Sequence, residues 1–558
     1  MRTHLVRRLR LQTILLPLAF SVVAVGCTRR GACGGEYCGT LVFPGMGQAV
    51  TLLPVVSQNT LERDIFDQIF LRLADIGPDE NTIADSGFVP ELARSWEWSD
   101  PRTLIFHLDP RARWQDGVPV TAADVAFTFD AYTDTLVNSP ARSTLAHIAA
   151  VTAIDSLTVA FRFHDRYNEM FYDAVYHMRI LPAHLLQSVP RGQWQTAAFG
   201  RAPVGDGPYR FARWVPDERI ELVADSTFFL GRPHIRRVIW RFVSDFPTAV
   251  TQLVAGEVDG IQVLLTPTNI QRARDAGHLT VYHYLGSTYG FLRFNLRANG
   301  DPSRPHPILA DPDVRRALVL ATDRERMAQS VYGGAAKVPP APISQMWSAL
   351  WFPDLSIPPF DTAQANQLLE RRGWRDTDGD GVRDRGGQKL ELSLTVVSTS
   401  ATRKQYAQLL QEQLRAVGVA VAIDEMDPRA ADDRLRAGRF DVSVESWQTD
   451  PAPASGIPQH WTRDGSQNYG HYDSPAFDLQ VARAIGATSK EAAAAAWHAA
   501  FATLAQDPPA IMLNAPDNDA AVDQRVADVR IRPDAWWALL PAWRIPADQL
   551  NERDRLGR

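Results

Sequence analysis

Four groups of residues in this 558-residue sequence carry side chains that can do chemistry. The first is Asp376-Thr-Asp378-Gly-Asp380-Gly381, followed by Asp384. Acids at positions 1, 3 and 5 with glycine at 6 are the start of a calcium loop. An EF-hand would place a bidentate glutamate at position 12, and that position is Gly387, so an EF-hand is excluded. A shorter structural calcium loop using Asp384 and a solvated turn both stay open. The second group is Trp447-Gln448-Thr449-Asp450, which directly follows an apolar strand pattern. Ligands favour the carboxyl ends of strands in α/β sheets. Trp447 can stack on a ligand there or pack into the core. The third group is the three cysteines, Cys27, Cys33 and Cys38. The fourth is thirteen scattered histidines, none in a His-Glu-x-x-His arrangement. No Gly-x-Ser-x-Gly elbow, phosphate loop or paired Cys-x-x-Cys occurs either, which argues against an enzyme.

The cysteines are read together with the amino terminus. Arg2, Arg7, Arg8 and Arg10 precede an apolar run from Leu11 to Val25, with no acid before Cys27. A basic region, a short apolar run and small residues at its end make a signal peptide over 1–26. Val23-Ala24-Val25-Gly26-Cys27 resembles a bacterial lipobox, except that Ala24 stands where leucine is usual. The resemblance implies cleavage before Cys27 and its lipidation. An ordinary secretory signal is the alternative. A secreted chain can form disulfides, and Cys33 and Cys38 are placed to close a small loop in a Gly-rich tether over 27–40. A zinc site would need two more ligands, and no histidine is near.

Composition sets the frame. Hydrophobic residues make up 45% and charged residues 22%, the balance of a globular protein rather than a disordered or collagen-like one. The length predicts about three or four domains. The 58 basic and 64 acidic residues leave −6, and without residues 1–26 the count is 54 against 64, or −10. Neither value suits a general nucleic-acid binder.

Alternating strand and helix patterns predict an α/β fold. Leu104–Leu108 reads as a strand, and Thr121 with Asp124 reads as a capping box opening a helix. Another helix starts near Asp311–Asp313. Leu390–Val396 alternates as a strand, a helix carrying Tyr406 to Val417 stops at Gly418, and Val419–Ile423 and Phe440–Val444 follow as strands. The segments 253–264 and 435–446 echo each other: helix end, Ala-Gly, two residues, Asp, strand. The echo predicts two lobes of similar build with a cleft between them, a usual place for a ligand.

Nine segments then resemble, in order, family 5 extracellular solute-binding proteins, the peptide, dipeptide and nickel-binding subunits of ABC importers. LIFHLDPRARWQDGVPVTAADVAFTFDAY at 104–132 is the most specific. PVGDGPYRFARW (203–214), YGFLRFNLRA (289–298), DPDVRRALVLATDRERM (311–327) and ANQLLERRGWRDTDGDGVRD (365–384) follow. LQEQLRAVGVAV (410–421), RLRAGRFDVSVESWQTD (434–450), HYDSPAFD (471–478) and QDPPAIMLN (506–514) complete the series. The resemblance covers roughly residues 40–545. The resemblance implies a periplasmic-binding-protein-like Venus flytrap with a hinged cleft. Its first lobe would run over 41–285, with an inserted extra domain near 90–200. The second lobe would take 286–510, and 511–548 would return to the first, leaving 549–558 as a tail.

The resemblance also implies a function: capture of short oligopeptides and delivery to ABC permease and ATPase subunits, with no catalysis. The chain would be a monomer, held outside the cytoplasm on a bacterial membrane by lipidated Cys27. In peptide-binding relatives an aspartate matching Asp450 holds the ligand's α-ammonium. The second acidic element common in relatives is replaced here by Pro451-Ala452-Pro453-Ala454. Trp447, Gln448, Tyr289 and Asn295 are further candidates for ligand contact, and Phe291 shares the strand of Tyr289. Trp114 is expected in the core. No single arginine can be chosen as a carboxylate partner. A sensor on the same fold, a nickel chelate or other small solute, and a peptide hydrolase are the alternatives.

Overall fold

The computed structural model describes residues 37–57, 59–355 and 358–555. Cys27 and Cys33 lie outside the described residues. Cys38 is buried and disulfide-bonded.

Two bodies are built around separate sheets. In the first, Thr40–Met46 pairs in parallel with Arg237–Val243, which continues antiparallel to Arg219–Ala224 and Tyr209–Val215. A three-stranded sheet of Gly260–Ile261, Asn518–Asp523 and Leu279–Tyr284 adjoins it. Between these stretches the chain inserts a four-stranded antiparallel sheet, ordered Ala93–Asp100, Thr103–Leu108, Thr158–Phe163, Ile148–Ala153. The helix Ala122–Thr133 packs beside it, and Thr121 opens that helix with the expected capping box: its N–H donates to Asp124 Oδ2 at 2.9 Å. The second body is a six-stranded sheet, in order Ala336–Lys337, Ala510–Pro516, Thr288–Phe294, Val442–Gln448, Glu391–Val397, Ala420–Met426. The helices Pro312–Leu320, Thr362–Arg371 and Ala401–Arg415 cover it.

The inserted sheet does not have its own core. Phe106, Trp114, Phe161 and Phe171 join one continuous apolar cluster with Leu41, Phe43, Trp240 and Trp543. Gln115 ties the insert to the stretch 205–209: its Nε2 donates to the carbonyls of Gly207 and Tyr209, and its Oε1 accepts from the Gly205 N–H. Glycine is required at 205 because a Cβ there would lie 1.9 Å from the Ile69 carbonyl oxygen. The segments 104–132 and 203–214 thus pack on one another.

Two expected boundaries move. Ala510–Pro516 still belongs to the second sheet, paired with Thr288–Phe294, so the chain returns to the first body only at Asp517. Residues 549–555 are no tail. Asp554 is fully buried, its Oδ1 accepting the Thr40 N–H at 2.7 Å and its Oδ2 the Arg525 Nη1 at 2.6 Å. The carboxylate bonds the first strand, which sequence periodicity cannot reveal across 514 residues.

The sequence echo has a physical basis. After Gly256 and Gly438, both at positive φ, Asp259 and Asp441 each accept the N–H of a neighbouring strand: Val42 at 2.7 Å and Ser393 at 2.8 Å. Asp259 is fully buried and paired with Arg525 at 2.7 Å and with Arg553. Removing one partner of a buried pair costs about 3–5 kcal/mol. Asp259→Ala is therefore expected to lower the urea midpoint of the chain, and an unchanged midpoint would contradict this role.

Candidate functional site

The chain crosses between the bodies at Leu285–Ser287 and at Asp517, each a short link between consecutive strands. The two crossings touch. A Cβ on Gly286 would lie 1.9 Å from the Pro516 carbonyl oxygen, so only glycine fits. Thr449 ties the second body's rim to this point, its N–H donating to the Ser287 carbonyl at 2.7 Å. This contact sets the start of the Asp450 loop at the hinge.

A cavity of about 290 Å³ opens between the bodies. One wall comes from the helix Thr60–Phe66 and the residues after it: Arg63, Asp64, Asp67, Arg72 and Asp75. Tyr176, Arg179, Asp534, Trp536 and Trp537 extend it, and Ser287 and Gln448 line the hinge side. Most of these charges cancel within the wall. Arg179 forks onto Asp67 at 2.7 and 2.8 Å. Arg72 reaches Asp75 at 3.4 Å, and Arg532 bridges Asp75 and Asp534 at 2.6 and 2.7 Å. Burial pushes the Asp64 carboxyl up to about 6, although Arg63 and the Gln262 amide oppose it. Burial and neighbouring Asp75 push Glu91 up to about 8.

Among the described residues that line the cavity, Arg63, Asp64 and Glu91 stand outside any ion pair, Asp64 accepting from the Gln262 amide and Glu91 from the Arg72 N–H. Among the described residues no carboxylate lies within ion-pairing distance of Arg63, whose side chain reaches into the open cleft while ringed by protein. Burial pulls its pKa down, but Tyr176, Asp67, Asp64 and Asp450 more than restore it. Asp450 is exposed, and among the described residues its side chain is in one hydrogen bond, accepting from the Ser455 hydroxyl at 3.4 Å. Arg63 stands on the first body and Asp450 on the second. Trp347 fixes the loop that carries Asp450, its Nε1 donating to the carbonyls of Asp450 and Pro451 at 2.9 and 3.0 Å. Beyond that loop a second cavity of about 510 Å³ is lined mainly by apolar groups, including Leu285, Trp347, Leu350, Pro451 and Trp497. Asp450 thus stands in the chain between Gln448 of the polar cavity and Pro451 of the apolar one.

The bodies also meet at the far side of the cleft. The Asn168 N–H donates to the Ile485 carbonyl at 2.9 Å, and its Nδ2 to that of Ala484 at 2.8 Å. Beside it Glu169 is buried near the Ala454 N–H and the Thr82 hydroxyl. This is a closed arrangement.

The sequence candidates separate in this geometry. Gln448 lines the cleft cavity, while Asp450 is exposed and lines neither cavity. Tyr289 does not: it is 1% exposed, and its hydroxyl accepts from Trp461 Nε1 at 3.1 Å. Asn295 is fully buried and donates to the carbonyls of Gly438 and Phe440 at 3.3 and 2.8 Å, so it holds the second sheet to the Ala-Gly turn. Phe291 packs on Trp461. These positions are internal because Thr288–Phe294 is a central strand covered on both faces. Trp447 is half-buried, edge-on to His460 at 4.1 Å. The acids Asp376, Asp378 and Asp380 do cluster within 4.8 Å. Asp376 accepts the N–H groups of Gly379 and Gly381, and Asp384 accepts that of Thr377. Lys389 Nζ bonds Asp378 and Asp380 at 2.6 and 2.8 Å, so the chain supplies its own cation to the turn. Arg63, Asn168 and Glu169 were not singled out from sequence, and no motif marks them.

The sequence pattern of bacterial extracellular solute-binding proteins, family 5 Middle, matches residues 87–469. This chain is a family 5 solute-binding protein. It is 26% identical over 442 residues to the oligopeptide-binding protein AppA of Bacillus subtilis, covering 76% of this chain and 79% of that one. It is 26% identical over 506 residues to the probable ABC transporter periplasmic-binding protein SapA of Escherichia coli, covering 85% and 86%. The solved structure of B. subtilis AppA with a nonapeptide superposes with a TM-score of 0.74 at 23% identity, over 91% of this chain and 99% of that one. NikZ of Campylobacter jejuni, solved with Ni(L-His), gives 0.73 at 22% identity, over 91% and 100%. These superpositions show the periplasmic-binding-protein fold. Among the described residues no helix is long and apolar enough to cross a membrane.

Burial, and then Asp173, hold the Glu169 carboxyl well above the ordinary glutamate range, while the Ala454 N–H and Thr82 oppose. One expectation concerns the acidic turn: excess calcium should leave the thermal midpoint unchanged, and a clear rise would show that the cation displaces Lys389.

Proposed function

We propose that this protein captures short peptides in the cleft between its lobes and hands them to an ABC permease with its ATPase. The observation that carries the reading is a pair of opposite charges outside any ion pair, Asp450 on one lobe and Arg63 on the other, near enough for Asp450 to raise the Arg63 pKa. A zwitterionic peptide supplies an ammonium for the first and a carboxylate for the second, so it bridges the lobes. Ligand that prefers the closed state stabilises it by that preference alone. The second cavity, reached past the Asp450 loop, gives room for side chains between an apolar side with Leu285, Trp347 and Trp497 and a polar rim with Glu80, Lys490 and Glu491. The AppA relatives support this reading. Among the described residues no histidine or cysteine lines either cavity, which favours peptide over a nickel chelate.

The reading needs no catalytic group and no cofactor, and treats the Asp376–Asp384 turn as structural. It includes anchoring outside the cytoplasm through lipidated Cys27, a Cys33–Cys38 loop in the tether, and action as a monomer.

Two measurements test it. Native mass spectrometry of the soluble chain should show heterogeneous adducts of peptide mass that vanish on denaturation. A single sharp adduct would instead indicate one dedicated solute. Charge-assisted hydrogen bonds are worth about 1.5–3 kcal/mol, so Asp450→Asn should weaken peptide binding by about 10- to 150-fold in calorimetry. Unchanged affinity would remove Asp450 from the site.

A further inference from the structure

A third cavity, of about 390 Å³, lies within the second lobe and shares no residue with the cleft. Its floor is apolar, built from Val319, Leu320, Leu504 and Met512. Its charged groups are Arg316, Arg324, Arg371 and Asp313. Arg316 is paired with Asp313. Arg324 is different. It is 7% exposed, and among the described residues no carboxylate lies within ion-pairing distance of it. Its Nη2 donates to the Pro358 carbonyl. A guanidinium has five N–H donors, and the donors not spent on Pro358 are left for the cavity that Arg324 lines. Arg324 also sits in the first turn of the helix Arg324–Tyr332, an end that favours anions and disfavours cations. Burial pulls its pKa down to about 10, with only Glu325 opposing. A charge held this way is costly unless an anion meets it.

We propose that this cavity is a second binding site, for a small amphipathic anion whose head lies on Arg324 and whose apolar tail lies on the floor. Arg371, at the last turn of the helix Thr362–Arg371, adds positive charge at the edge. Carboxylate and phosphate heads share this chemistry, so a free fatty acid or an alkyl phosphate can fill the site. The polar residues of the peptide cleft take no part.

Calorimetry on the whole chain tests the proposal with octanoate, octyl phosphate and, as the uncharged control, octanol. One of the anions should bind once per chain, about tenfold or more tighter than octanol, and the tighter anion identifies the head. Arg324→Met keeps the volume and removes the charge, and should abolish the preference for the anion without altering the circular dichroism spectrum. If that variant does not fold, Arg371→Gln should still reduce anion affinity several-fold, through lost charge alone. Equal binding of octanol and the anions by the natural chain, no anion binding at all, or an undiminished preference in the folded variant would each overturn the proposal.

Discussion

The structure depends on one close contact between two strands of chain. Where the crossings at Leu285–Ser287 and Asp517 pass, Gly286 lies against the Pro516 carbonyl with no room for a Cβ. Both bodies are continuous with this point through consecutive strands. Their relative motion is thereby confined to a few backbone bonds, the usual design of a hinge. The same contact fixes where the Asp450 loop begins, since Thr449 bonds Ser287 directly.

The chemistry of the cleft follows from subtraction. Its wall holds many charges, and a crowded wall of paired ions would hold water and salt rather than a specific solute. Arg179 and Arg72 are used by Asp67 and Asp75, and Arg532 is used by Asp75 and Asp534. These networks hold the wall rigid, because each fork constrains both partners. Arg63 and Asp450, one on each lobe, stand outside these ion pairs, as does Asp64, which accepts from the Gln262 amide. A ligand that satisfies both must touch both lobes, and this links recognition to closure without any moving part beyond the hinge.

Much of this was legible in the sequence, and the reasons differ by residue. The capping box at Thr121, the helix starting at Asp311 and the strand that ends at Gln448, just before Asp450, all follow from local chemistry, and local chemistry is what a sequence displays. The echo between 253–264 and 435–446 was readable because both lobes use an aspartate to hold a neighbouring strand. Tyr289 and Asn295 were misplaced for a physical reason: their strand begins at the hinge but runs into the centre of the six-stranded sheet. Sequence alone does not say how far a strand penetrates. The docking of Asp554 on Thr40, the continuous core under the inserted sheet, and the isolation of Arg63 are long-range facts. Choosing one arginine among so many requires knowing which of the others are already paired.

The central claim is that ligand brings the lobes together. Small-angle X-ray scattering of the soluble chain, alone and with a saturating mixture of short peptides, measures this directly. The account predicts a smaller radius of gyration with peptide, reversed when the peptide is removed. Identical scattering curves in the presence of demonstrated peptide binding would contradict it.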